Sequence, residues 1–315
     1  MYEKWKGVHT RCAFNMIQEL IPLTRPRTLA AALGPTILGA AFSYYAFGAT
    51  QGTGLAIFHT VLIFLAVVTA QIVANLWNEY KDFKSGLDAG QKVGNAGSIT
   101  RGVITPELII TMIKVLMFVP IIIGLYLSAT ITWYYIPVGF LCILISFLYS
   151  GGPNPISRTP FGEISSGIAM GFAIVLITGY AWIRELSLAL LIPAIPSTLL
   201  VGSIMLTNNI RDIRNDESHG RHTLPIVLGR ERALSLMSIS YIFNFIWIIA
   251  WIIIGHMTWF ALLAFLAAPL AFKTIHTLST NADEFQLDKA MGTTAGASMI
   301  YQLMWAIGLI MGKLF

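Results

Sequence analysis

Two polar stretches, NLWNEYKDFKSGLD (Asn75–Asp88) and NNIRDIRND (Asn208–Asp216), carry the residue types that could do chemistry. On a helix, Asn75, Asn78, Glu79 and Asp82 stand at i, i+3, i+4 and i+7 and share one face. Asp88 follows beyond a turn marked by Ser85-Gly86. Asn209, Asp212 and Asp216 repeat the i, i+3, i+7 spacing, with Asn208 and Asn215 beside them. Carboxylates packed this closely repel one another unless a cation holds them. Their oxygens suit a hard ion, and Mg²⁺ commonly takes one or two carboxylates together with substrate phosphates and water. Two such clusters facing one cavity could bind a diphosphate through bridging Mg²⁺. The interleaved Lys81, Lys84, Arg211, Arg214 and Arg221 would offset the remaining phosphate charge.

Asn78 and Asp82 have counterparts in Asn208 and Asp212 at an offset of 130 residues, with basic residues interleaved alike. One such cluster is as readily a solvated helix end; two in matching order argue for a site. A third stretch, YSGGPNPISRTPFGE (Tyr149–Glu163), has a Gly-Gly-Pro-x-Pro core that forces a non-helical loop. It reads either as a tight reversal or as a wall of the same cavity, lined by Tyr149, Arg158 and Glu163.

The elements that must position these groups are membrane helices. The 315 residues are 56% hydrophobic and 11% charged, with mean hydropathy +0.72, outside the range of water-soluble domains. A span needs about 20 apolar residues. No charged residue occurs from Thr28 to Asn78, which leaves room for two helices, and 115–157 holds two more. Stretches 164–183 and 186–210 hold one each, 233–272 holds two and 290–312 holds one, giving nine spans in all. Apolar runs this continuous exclude an alternating β-barrel.

An odd number of spans puts the termini on opposite sides. If the first 27 residues and the even-numbered connections share one side, that side collects 17 of the 20 Lys and Arg. The asymmetry predicts a multi-pass protein of the cell membrane, with a cytoplasmic N-terminus, cytoplasmic site loops and the C-terminus opposite. The net charge of +5 belongs to that inner face, suits anionic lipid and gives no indication of nucleic acid. No removable signal peptide is expected, and Cys12 and Cys142 are too far apart in this topology to pair. The two motifs each leave an even-numbered span. This suggests a single domain over 1–315 built from a duplicated four-helix unit, about 28–149 and 163–272, with a ninth helix at 290–312.

At these residues the chain resembles the UbiA superfamily of intramembrane prenyltransferases, and within it the branch that prenylates 1,4-dihydroxy-2-naphthoate. The matching elements are RPRTL (Arg25–Leu29), the two Asn/Asp motifs, the Gly-Gly-Pro-x-Pro loop and AMGTTAGAS (Ala290–Ser298). The resemblance implies an all-α membrane fold of nine helices around a central cavity that opens sideways to lipid. It implies Mg²⁺ on Asn78, Glu79, Asp82, Asp88, Asp212 and Asp216, and a polyprenyl diphosphate contacted by Asn75, Lys84, Asn208, Asn209, Arg211 and Arg221. Arg158 and Glu163 would stand at the mouth, and the ring of Tyr80 or Tyr149 would face an allylic cation. Two departures stand out: Glu79 where the superfamily usually has Asp, and a late third acid, Asp88. The acceptor stays open between the naphthoate and 4-hydroxybenzoate, homogentisate, haem or a glycerol phosphate. A membrane transporter is the further alternative, although its acids would be expected near the bilayer midplane.

Overall fold

A computed structural model of the protein describes residues 20–87, 97–280 and 284–315, without the side chain of Glu284. Nine main helices among these residues run through the six stretches that were expected to hold nine spans. They are α1 (Ala30–Phe47), entered through a tight turn at Pro26–Leu29, α2 (Thr53–Ser85), α3 (Pro106–Thr130), α4 (Tyr135–Ser150) and α5 (Gly162–Ile183). They continue with α6 (Leu191–Ser218), α7 (Arg230–Ile253), α8 (Trp259–Ser279) and α9 (Glu284–Leu314). Eight are long and apolar enough to cross a membrane, and α4, with 16 residues, is shorter. The chain is a multi-pass membrane protein. Phe118, Ile122, Phe140, Ile246 and Phe272 are exposed along the outer helices, as lipid-facing side chains must be.

Helix length explains how the polar motifs leave the apolar layer. At about 1.5 Å per residue, the 33 residues of α2 span roughly 50 Å, against a hydrocarbon core of about 30 Å. Its last turns therefore project beyond the layer while remaining helical. Gly86, at φ +74°, ends the helix in the left-handed conformation, and the Leu87 amide donates back to the Asp82 carbonyl at 3.1 Å. The 28 residues of α6 run on in the same way to Ser218.

The main core joins α1, α6, α7, α8 and α9 through Phe42, Leu200, Met237, Ile248, Leu278, Tyr301 and Trp305. A second cluster, with Leu76, Ile99, Ile104, Ile109 and Ile113, sits between α2, α3 and the loop joining them. Two glycines fix the approach of α5 to α6. A Cβ at Gly171 would lie 2.6 Å from the backbone of Ser197 and Thr198, and one at Gly167 would lie 2.6 Å from the Thr198 carbonyl oxygen. Their i, i+4 spacing is the small-residue pattern that lets membrane helices pack backbone to backbone. The helix widens to i→i+5 bonding over the same residues, Gly167–Phe172.

Candidate functional site

Side-chain direction on α2 follows from its pitch of about 100° per residue. Relative to Asn75, Asn78 and Asp82 fall to one side of the shared face and Glu79 falls about 40° to the other. Asn75, Asn78 and Asp82 line a cavity together with Asn208, Asn209, Asp212 and Asp216 of α6. The two motifs therefore face each other across one space. Tyr149 and Ser150, at the end of α4, complete part of the wall, and the Ser150 hydroxyl donates to Asn78 Oδ1. Deeper in, Met170, Ile204 and Met205 give the same cavity an apolar lining.

Guanidinium groups hold the acids. Arg221, in the loop after α6, places Nη2 2.9 Å from Asp82 Oδ1 and Nη1 3.3 Å from Asp216 Oδ1, so one cation joins the two motifs. The Arg221 amide donates to the Asp216 carbonyl at 3.0 Å and keeps the side chain in place. Arg211 covers Asp212 with its fork: Nε lies 2.7 Å from Oδ1 and Nη2 lies 2.8 Å from Oδ2. Arg211 Nη2 also donates to Asn208 Oδ1 at 3.0 Å. Bidentate pairing of this kind is among the stronger polar contacts and fixes orientation as well as charge.

Several residues expected at the site lie elsewhere. The Glu79 carboxylate is 1% exposed and does not line the cavity. Its Oε1 accepts from the amides of Gly97 at 3.0 Å and Ser98 at 2.8 Å, so the longer side chain reaches the α2–α3 loop instead of the cluster. Tyr80, about 140° round the helix from Asn75, stacks on Trp77 at 5.6 Å. The ammonium of Lys84 sits 5.2 Å over the Tyr80 ring, outside the cavity and exposed. Glu163 is buried behind the wall and accepts from Asn209 Nδ2 at 2.8 Å. Arg158 acts on Asp82 only through space, while its carbonyl accepts from the His222 amide at 2.9 Å. Asp88 lies outside the described residues.

Three charged residues that the motifs did not single out as site residues belong to the cavity: Arg25, Arg27 and Asp288. Asp288, near the start of α9, pairs Oδ1 with Arg211 Nη1 at 2.9 Å and Oδ2 with Arg27 Nη1 at 2.7 Å. An acid at the polar end of a span, on the helical face that also carries the buried Met291 and Ala295, was the available signal. Arg25 lines the cavity from the entry to α1, at φ +50°, an unusual conformation for a residue with a side chain. Its carbonyl accepts from the Thr28 amide at 2.9 Å, which holds the turn closed.

The donor set fits a divalent cation bound together with a phosphate. Asp216 Oδ2 is buried without a hydrogen-bond partner, as a carboxylate oxygen awaiting a cation would be. Arg221 Nε is likewise buried and unpartnered, a donor suited to a phosphate oxygen. Asn78 and Asp82 on one side, and Asp212 and Asp216 on the other, would hold the ion.

The sequence model for the UbiA prenyltransferase family matches residues 32–305. A 1,4-dihydroxy-2-naphthoate octaprenyltransferase of Bacillus subtilis (strain 168) is 35% identical over 303 residues, 94% of this chain and 93% of the relative. Two solved structures share the fold. A UbiA homologue from Aeropyrum pernix K1 superposes with TM-score 0.67 at 18% identity, covering 90% of this chain and 97% of the homologue. One from Archaeoglobus fulgidus, bound to GPP and Mg²⁺, gives 0.61 at 15% identity, covering 90% and 98%.

Proposed function

The chain belongs to the UbiA prenyltransferase family, and from that premise we propose that it transfers a polyprenyl group from polyprenyl diphosphate to 1,4-dihydroxy-2-naphthoate. The products are demethylmenaquinol, CO₂ and diphosphate, a step of menaquinone biosynthesis. The observation that carries this reading is the meeting of the two Asn/Asp motifs around one guanidinium, with Arg221 on Asp82 and Asp216 at the mouth of a partly apolar cavity. The acceptor rests on the relatives that bear the naphthoate enzyme's name, the Bacillus protein first.

Bound Mg²⁺ supplies charge neutralisation for the leaving diphosphate. Asn78, Asp82, Asp212 and Asp216 would hold the ion at the polar ends of α2 and α6, and the prenyl tail would run into the apolar depth. Arg221 Nε, free of protein partners, meets the oxygen that gains charge as the carbon–oxygen bond breaks. The ring of Tyr149 faces the allylic cation, and Met170, Ile204 and Met205 keep water from it. The electron-rich naphthoate carbon bearing the carboxylate forms the new carbon–carbon bond. Loss of that carboxylate as CO₂ then restores aromaticity. The Lys and Arg asymmetry supports a cytoplasmic position for these loops, with diphosphate released there and the C-terminus on the opposite side of the cell membrane. The paired motifs also support a duplicated four-helix unit within one domain.

The test is mass spectrometry of the product that purified protein makes from the naphthoate and a set of prenyl diphosphates, with and without Mg²⁺. Demethylmenaquinol formed only with the metal supports the proposal. Prenylation of 4-hydroxybenzoate in preference to the naphthoate overturns the acceptor assignment, and absence of any prenyl transfer overturns the reaction.

A further inference from the structure

Arg211 lies between two carboxylates borne by different helices. On α6 it covers both oxygens of Asp212, at 2.7 and 2.8 Å, and towards α9 its Nη1 reaches Asp288 Oδ1 at 2.9 Å. A divalent ion held by both acids of the second motif takes an oxygen of Asp212 beside the unpartnered Asp216 Oδ2, and both Asp212 oxygens face the guanidinium, which carries the same charge sign as the ion. Repulsion between the two cations therefore favours release of Asp212 by Arg211 when the ion arrives. Unpaired, a side chain only 12% exposed would pay a large desolvation penalty. Asp288 removes that penalty, because it is already in place. Its second oxygen and its backbone carbonyl are both held by Arg27 Nη1, at 2.7 and 3.2 Å, so the carboxylate is fixed before the exchange.

We propose that Asp288 is a positioning residue that retains Arg211 while Asp212 passes from the guanidinium to a divalent cation. This rests on the magnesium diphosphate reading above. Released from Asp212, Nε and Nη2 of Arg211 become donors for the phosphate oxygens that accompany the ion, whereas Nη1 keeps its contact with α9. The same pairing then serves two states: with the site empty, arginine neutralises the acids, and with it filled, arginine neutralises the phosphate. Arg27, which is half exposed, links the exchange to the turn that enters α1.

The experiment uses the full-length protein in detergent without substrates, and follows Mn²⁺ uptake through loss of the free-ion electron paramagnetic resonance signal. Asp288→Asn should weaken Mn²⁺ binding by roughly 10-fold, the equivalent of one charge-assisted hydrogen bond. Arg211→Gln should leave binding unchanged or tighten it, because Asp212 is then uncovered. The decisive measurement is Asp288→Asn in the Arg211→Gln background, where the penalty should shrink to less than about 3-fold since Asp288 acts through Arg211. Asp288→Glu, which keeps the charge, should restore binding to within about 2-fold of wild type. A penalty that persists without Arg211 assigns Asp288 a direct or purely structural role and overturns the inference. Wild-type uptake that Asp288→Asn leaves unchanged also overturns the inference, and it alone. A wild-type protein that takes up no Mn²⁺ overturns the magnesium reading and this inference with it.

Discussion

Arg221 Nη2 stands 2.9 Å from Asp82 Oδ1, a contact that closes 139 residues of chain. Because Nη1 of the same guanidinium reaches Asp216 at 3.3 Å, the two polar helix ends are held at a separation that one planar cation sets. Removing Asp82 thus takes away a proposed metal oxygen and one of the two anchors of Arg221. Asp82→Ala should lower kcat/KM for prenyl transfer by at least about 100-fold, comparable to losing a group that stabilises developing charge. Turnover near the wild-type rate in a radiolabelled prenyl diphosphate assay would remove Asp82 from the site.

Arg221→Lys keeps the charge and loses the fork, so it can hold Asp82 or Asp216 but not both in this geometry. The expected result is a rise of roughly 10-fold in KM for the prenyl diphosphate, with a smaller change in KM for the acceptor. Equal changes in the two constants would show that Arg221 shapes the cavity generally and does not address the diphosphate.

Glu79 and Asp82 are three residues apart and should respond differently. Glu79→Gln replaces one acceptor of the Gly97 and Ser98 amides with a group half of which is a donor. It should cost about 1–3 kcal/mol of stability and speed hydrogen exchange across 97–104. The Mg²⁺ concentration for half-maximal activity should stay within about 2-fold of wild type, whereas Asp82→Asn should raise it. A shift in magnesium dependence with unchanged loop exchange would return Glu79 to the ligand set.

The two tyrosines separate in the same way. Tyr149 lines the cavity and Tyr80 packs between Trp77 and Lys84. Tyr80→Leu should retain kcat within a few-fold, and Tyr149→Leu should lose about 10-fold or more if its ring face stabilises the allylic cation. Measuring both under saturating substrate decides which ring matters, and the reverse order would require a different cavity.

Gly171→Val tests the α5–α6 contact apart from chemistry. Even the first added carbon meets backbone at 2.6 Å, so a loss of about 1–3 kcal/mol or more is expected. Unfolding of the variant in mixed micelles, monitored by intrinsic fluorescence, measures it; wild-type stability would mean that the helices can separate at this point without cost.

Much of this architecture was legible before any coordinates. Charge-free intervals mark the helices because a bilayer tolerates few charges along a span, and that constraint acts on composition alone. The spacing of Asn78, Asp82, Asp212 and Asp216 was readable for a similar reason: helical pitch turns sequence separation into a shared face. Where the same rule misled, the cause is angular. Glu79 sits on the edge of the face, close enough in sequence to join the cluster and rotated far enough to meet the loop amides of Gly97 and Ser98. Tyr80 and Lys84 lie beside the motif in sequence and off its cavity-facing side.

What the chain by itself determined is therefore local and one-dimensional: the number of helices, the ends at which they turn polar and the residue types gathered there. Only the tertiary structure decided which acid meets which cation. Arg221 joins Asp82 to Asp216, Arg27 and Arg211 share Asp288, and Asn209 turns its amide to Glu163, each across at least 46 residues except for Arg221 and Asp216. Such partners cannot be read from spacing, because their approach is set by how closely whole helices pack, as Gly167 and Gly171 set it for α5 and α6.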